Sequence, residues 1–355
     1  MRGEGDFPSG GKADGGVCNL RLGVFIAVGA AAGAVAAFDS AAWLAERGDD
    51  ADAMRLKAAY ADCEAKVVQP AENVVFPIEA FPDGTVKSRL RAEKAQLFLD
   101  TGLVWGSGVT VEQFKPDGVT REGELKAERC LVDRKKKTGW VAGVAEMTWG
   151  DTRLRGRGVY FDASREFVKI FSQTEIRTKA LGGRGLKDLT GLGGAAAKGR
   201  QKGADAAKGK PKGTNAVARI TAERTDYDHR NGVVMFDRNV ALDDTEWQMC
   251  ADRLFVFLEG TNELKRLVAL GNVAITNGNR RARCAKATYR KALNRVDMYA
   301  ADDGGARARL DDVSKGRESS LEGDRITFWT ETEQVQVDGP AVTVPGFGKR
   351  GLGDL

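Results

Sequence analysis

The stretch MCADRLFVFLE, residues 249–259, opens with Met249 and Ala251 on one face of an extended chain and then breaks its own alternation. Beyond Asp252 and Arg253 the apolar residues fall in both phases. A strand that buries one face keeps a period of two, so the slip predicts a corner, with a small residue inside and charged groups in water. The phrase returns as LRAEKAQLFLD, LKAERCLVDRK, LRGRGVYFDAS, ITAERTDYDHR, RCAKATYRKAL and LEGDRITFWTE. In chain order the small residues are Ala92, Ala127, Gly156, Ala222, Ala251, Ala285 and Gly323.

Their spacings are 35, 29, 66, 29, 34 and 38 residues. The long one contains LGGRGLKDLTGLGGAAAKGRQKGADAAKGKPKG, residues 181–213, and without those 33 residues it shrinks to 33, an ordinary period. Three units and four units are thus joined by an insert. Between phrases the chain alternates cleanly: Val240 with Leu242, Val273 with Ile275, Val335 with Val337, Val342 with Val344. One such unit cannot bury its own apolar face, so the units must stack. Long, uneven periods favour antiparallel meanders over the coils of a parallel β-helix, which is the rival reading. The expectation is an all-β chain of two repeat-built antiparallel blocks behind an N-terminal hydrophobic helix.

That helix is the run LRLGVFIAVGAAAGAVAAF at 20–38, uncharged after Arg21. At about 1.5 Å per residue, residues 22–38 barely cross a bilayer core. A single-pass anchor and a signal peptide cleaved near Ala34-Val35-Ala36 are the two main readings, and both export the C-terminal remainder of the chain. A buried cytosolic helix is the third. The expected organisation is a polar tail (1–21), the apolar segment (22–38), a helical spacer (39–67), a first β block (68–180), the insert (181–213), a second β block (214–345) and a C-terminal tail (346–355).

Composition excludes more than it selects. The content is 42% hydrophobic and 30% charged, as in globular proteins. One histidine, His229, in the turn-like DYDHRNG, removes most His-based triads and zinc sites, and it is expected to be a solvated loop residue. The net charge is +5, but residues 181–213 hold eight cations against two acids, which leaves the remainder near −1. No basic face for nucleic acid is expected. The insert reads as a solvated tether, or as a segment attracted to anionic headgroups. Cys18 precedes the apolar segment. Cys63, Cys130, Cys250 and Cys284 lie beyond it, where an oxidising compartment permits pairing. Cys250 and Cys284 are candidate disulfide partners, with two small buried hydrophobes as the alternative.

These residues resemble the lipopolysaccharide-transport proteins of Gram-negative envelopes. ARITAERTDYDHRNGVVMFDRNVAL and MCADRLFVFLEGTNELKRLVALGNVAIT, within 214–345, are similar to the OstA-like domain of LptA. VVFPIEAFPDGTVKSRLRAEKAQLF, with its turn at Asp83-Gly84, is similar to LptC over 68–180. The resemblance covers about 245 of the 355 residues. The two are usually separate chains and here look fused through the basic insert.

The resemblance implies a twisted, partly open β-jellyroll whose interior holds the acyl chains of lipid A. It implies a bulk located in the periplasm, anchored in the inner membrane or freed by signal cleavage. The implied partners are lipopolysaccharide, an inner-membrane lipopolysaccharide ABC transporter and outer-membrane assembly proteins joined by edge-strand addition. Head-to-tail self-association is a further option. The candidate lipid-contacting residues are Ile220, Val240, Leu242, Val273, Ile275, Met298, Phe328, Val335 and Val337 in the second block, and Leu90, Val109, Val111, Leu125 and Ile170 in the first; plain core packing accounts for each equally well.

No catalytic residue, cofactor or metal is expected. The edge prolines Pro77, Pro340 and Pro345 serve edge protection or leave room for a partner strand. The rival functions are an exported β-solenoid acting on polysaccharide through acid pairs such as Asp243 with Asp244 or Asp302 with Asp303, and a non-catalytic envelope scaffold. Adjacent carboxylates point to opposite sides of a strand, which argues against the first.

Overall fold

The computed structural model describes Trp43 and residues 50–150, 152–178, 218–243, 247–259, 263–302, 304–314, 317–329, 332 and 334–339. The polar tail, the apolar segment 22–38, the insert 181–213 and the C-terminal tail lie outside them, as do Asp244, Asp303, Pro340, Val342, Val344 and Pro345. Among the described residues no helix is long and apolar enough to cross a membrane.

Helix α1 (Ala51–Ala65) precedes the strands β1 (Ala71–Ala80), β2 (Val86–Phe98), β3 (Leu103–Phe114), β4 (Arg121–Asp133), β5 (Thr138–Trp149), β6 (Thr152–Asp162) and β7 (Phe167–Thr178). The second block holds β8 (Ala218–Ala222), β9 (Arg224–Asp228), β10 (Val233–Asp243), β11 (Trp247–Glu259), β12 (Glu263–Asn277) and β13 (Arg280–Arg290). It continues with β14 (Arg295–Tyr299), β15 (Ala308–Ser314), β16 (Arg317–Gly323), β17 (Arg325–Trp329) and β18 (Val335–Asp338). All belong to one antiparallel sheet. The blocks are not merely tethered: β7 pairs with β8 through Thr174–Thr178 and with β9 through Phe167–Ile170.

The repeated phrase is where the strands turn. Register slips fall between Ala127 and Arg129, Arg155 and Arg157, and Cys250 and Arg253, with matching slips at Asp237/Val240 and Leu270/Val273 on neighbouring strands. One extra residue shifts the side-chain phase. Met249, Ala251, Leu254 and Val256 consequently reach the same core. The acid of the phrase has its own place, over a left-handed residue of the next strand. Glu93 fills the space above Gly108 (φ 57°). Asn272 (φ 47°) donates to Asp252 at 2.9 Å, and Asn239 (φ 51°) donates to Glu223. Glycine and asparagine are the residues that accept this conformation most readily. The sixth unit corrects the alignment by one position: Cys284 is buried in the core while Ala285 is half-buried, so the inward place belongs to Cys284.

Two inner cores result, one per block. The outer face beyond the corner is buried as well, contrary to the expectation of polar groups in water. In register across the sheet run Trp105, Leu131, Trp140, Tyr160, Lys169 and Asp226, then Met235, Phe255, Val268, Thr288, Asp297 and Thr327. None is more than 7% exposed. This accounts for the broken alternation of LFVFLE: Leu254 and Val256 face the inner core, and Phe255 faces the outer row. A strand covered on both sides reads as a continuous apolar run.

In the first block the cover is α1. Ala53, Leu56, Tyr60 and Cys63 recur at helical spacing and pack on Trp105, Leu131, Trp140 and Tyr160. The segment expected to be a spacer thus contributes to a core. In the second block Trp43 packs with Val233, Met235, Phe255 and Val268, its ring edge-on to Phe255 at 5.5 Å between centroids.

Candidate functional site

The inner face carries an apolar line from one end of the sheet to the other. Leu90, Val111, Leu125, Met147, Leu154 and Ile176 are in register in the first block. Ile176 pairs with Ile220 across the junction, and the line continues through Leu242, Met249, Ile275, Ala282, Leu310 and Leu321. Within this line Leu90, Leu125, Met147, Leu154, Ile176, Ile275 and Leu321 are half-buried while their neighbours are closed in. Near the other strand ends Val104, Val132, Val168 and Val234 form a second half-buried set on the same face. The cross-section is therefore a closed apolar centre with greasy margins.

Thirteen of the fourteen residues selected from the sequence pack in or against the inner cores. Leu90, Val111, Leu125, Ile220, Leu242 and Ile275 belong to the line just traced. Val109, Val240 and Val273 sit next to the corner, and Ile170 and Met298 lie beyond it, all five buried. Phe328 is buried against Val296 of β14, and Val337 is half-buried. Val335 departs from the rest, being 39% exposed on the last strand. Leu154, Ile176 and Leu321 were missed. Leu154 and Leu321 had a signal, since each stands two residues before its unit's small residue, as Leu90 and Leu125 do.

The junction between blocks is held by charge. Asp50 stands at the N-cap of α1, yet its carboxylate accepts from Lys169 Nζ at 2.7 Å and from Arg224 at 2.7 and 2.9 Å. Arg224 also grips Asp226 at 2.9 and 3.0 Å. Lys169 belongs to the first block and Arg224 to the second, so Asp50 joins the two. Burial works to raise the Asp50 pKa, and the hydrogen bonds from Arg224 and Lys169 outweigh it and hold it below the usual value. His229 lies in the β9–β10 turn, as expected of a loop residue, but it is half-buried and partnered: its Nδ1 lies 3.0 Å from Glu166 of the first block, and its backbone N–H donates to the Glu166 carbonyl.

Other expectations are corrected here. Cys250 and Cys284 are free thiols. Cys250 is exposed on β11, Cys284 faces inward on β13, and β12 runs between them. Two strand spacings are about 9.6 Å, beyond the reach of a disulfide. Burial pushes the Cys284 thiol up to about 12. Asp244 and Asp303, partners in the two acid pairs, lie outside the described residues. No group of three or more His, Cys, Asp or Glu side chains placed to hold a metal occurs among the described residues.

Residues 219–341 match the family model described as "LptA/(LptD N-terminal domain) LPS transport protein". No curated protein matches the chain. Among solved structures the chain is similar to LptH of Pseudomonas aeruginosa, described as the LptA-homologous periplasmic component of the conserved lipopolysaccharide transport device. Identity is 15% and the TM-score 0.29, over 35% of this chain and 82% of that one. A likeness of that size decides nothing about function.

Proposed function

We propose that this protein is a non-catalytic bridge that carries lipopolysaccharide from the inner to the outer membrane, a reading supported by the match of residues 219–341 to the lipopolysaccharide-transport family model. The observation that carries the reading is the inner apolar line crossing the block junction at Ile176 and Ile220 without a polar step. Two jellyrolls whose greasy interiors join end to end suit a cargo that is passed along. Each buried methylene contributes about 0.8 kcal/mol, so one twelve-carbon chain supplies roughly 8–9 kcal/mol without any chemistry.

The acyl chains enter along the half-buried margin of Leu90, Leu125, Leu154, Ile176, Ile275 and Leu321, and the sugars stay in water. The first block takes the LptC-like place beside the membrane, anchored by residues 22–38, with the bulk in the periplasm. Partners add strands at the two ends. Support for that comes from β1, which among the described residues pairs only with β2 and is irregular around Pro77, and from β18, which among them pairs only with β17 and leaves Val335 exposed.

Photoreactive residues placed singly at Leu125, Ile275 and Leu321 in envelope-expressed protein test this. Lipopolysaccharide adducts are expected at all three and not at Thr276, on the opposite face of β12. Folded protein that yields no adduct at any of the three positions would reject the trough.

A further inference from the structure

On the outer face of the second block, at the strand ends, three arginines stand side by side. Arg266 of β12 is in register with Arg290 of β13, and Arg290 with Arg295 of β14. Like charges directly opposed across a strand pair are destabilising unless something answers them. Among the described residues only Arg295 has an answer, Asp297 at 3.0 Å. That carboxylate is already engaged, since Arg325 donates to it at 2.6 Å and Thr327 at 3.0 Å. Among the described residues no carboxylate pairs with Arg266 or Arg290.

Arg266 is not simply solvated. Its side chain is half-buried with the guanidinium 5.5 Å from the Phe257 ring centroid, and its Nε is buried without a hydrogen-bond partner. A buried charged donor left unmade is costly, and such groups call for a partner. Burial and the neighbouring Arg290 charge both push the Arg266 pKa down, as expected for a cation lacking its anion.

The position is as telling as the charge. Leu267, Tyr289 and Val296, next in sequence to the three arginines, face the inner core, and Leu293 on the adjoining turn is half exposed. The arginines thus stand at the lip where apolar interior gives way to water.

We infer that Arg266 and Arg290 form a phosphate-ester site that binds the phosphorylated headgroup of an amphiphile whose chains lie in the trough. Two planar guanidiniums suit a phosphate, which accepts several charge-assisted hydrogen bonds at once. Arg295 stays with Asp297 and adds field rather than a bond. As a lipid site the inference rests on the proposed function; as a phosphate site it stands alone.

Two arms separate these. In the first, full-length protein and the Arg266→Gln/Arg290→Gln double variant are melted with inorganic phosphate or with chloride at matched ionic strength. A saturable upward shift specific to phosphate is expected in the wild type and absent in the variant. In the second, binding of lipopolysaccharide and of its enzymatically dephosphorylated form is measured. The wild type should prefer the phosphorylated form about tenfold, and the variant should lose that preference while binding the dephosphorylated form as before. A phosphate response with no lipid binding leaves the site standing as one for free phosphate and removes the trough. Lipid binding of both forms, untouched by the double substitution and with no phosphate shift, leaves the trough standing and overturns the site. Equal loss of both lipid forms in the variant overturns it too, since that marks damage to the fold.

Discussion

The two blocks share an inner face and differ on the outside. Beyond the corner the first block presents Trp105, Leu131, Trp140 and Tyr160 to α1, an amphipathic helix of the same chain. At the same positions the second block changes from Met235, Phe255 and Val268 to Thr288, Asp297 and Thr327, and arginines frame the polar end. The repeat dictates the inner surface because each unit must bury it against the next. The outer surface is free to take whatever a given block has to meet: a helix in one, charged groups in the other.

The comparison breaks most readily at the outer row itself. Trp140→Ala and Phe255→Ala should each cost about 3–5 kcal/mol, read as a fall in the denaturant midpoint. If α1 is part of the first block's core, Trp140→Ala also opens α1 to hydrogen exchange, whereas Phe255→Ala leaves it protected. Exchange in α1 unchanged by Trp140→Ala would return the helix to the role of a spacer.

Asp50→Ala should cost about 2 kcal/mol, because it leaves Lys169 and Arg224 facing Asp226 alone. Its effect belongs at the junction, with β7, β8 and β9 losing protection before the centres of either block. Uniform loss over the whole sheet would show that Asp50 does not join the blocks.

Acid provides a gentler comparison, with one carboxylate in each block. Burial works to raise Glu112, but its hydrogen bond from Arg89 and the charges of Arg89, Arg121 and Arg91 hold it below the usual value. Asp297 is likewise raised by burial and lowered further by Arg325, Thr327 and Arg295. A carboxylate depressed by folding stabilises above its unfolded pKa, about 4, and that contribution is lost as pH falls through the lower folded value. Stability should therefore decline below about pH 4, and Glu112→Gln should shallow the decline. A profile identical to that of the parent protein would exclude Glu112 as a contributor. The smallest effect belongs to the exposed Arg155–Glu146 pair at 3.3 Å, where Glu146→Gln should leave the midpoint unchanged.

Much of this was legible in the residues. The small-acid-basic phrase located the corners, and thirteen of the fourteen candidate residues lie inward, Val335 being the exception. The misses share a cause. In LFVFLE and GWVA the apolar residues occupy both phases, and a strand alone cannot say that its second face is covered. The buried face of α1 looked like a spacer because Ala53, Leu56, Tyr60 and Cys63 are modest residues among many charges. His229 was placed in its turn, but its partner was not seen because Glu166 is 63 residues away. Arg266 and Arg290 drew no reading from the sequence, since opposition across strands depends on register.

By itself the sequence determined the repeat and its inward face and favoured antiparallel stacking over a parallel β-helix, because period and turn chemistry are local and each unit restates them. Tertiary structure alone decided that the blocks share one sheet, that the outer row is buried, and which charges meet. Those outcomes depend on pairing between residues far apart along the chain, and no local pattern encodes which distant strand or helix will arrive.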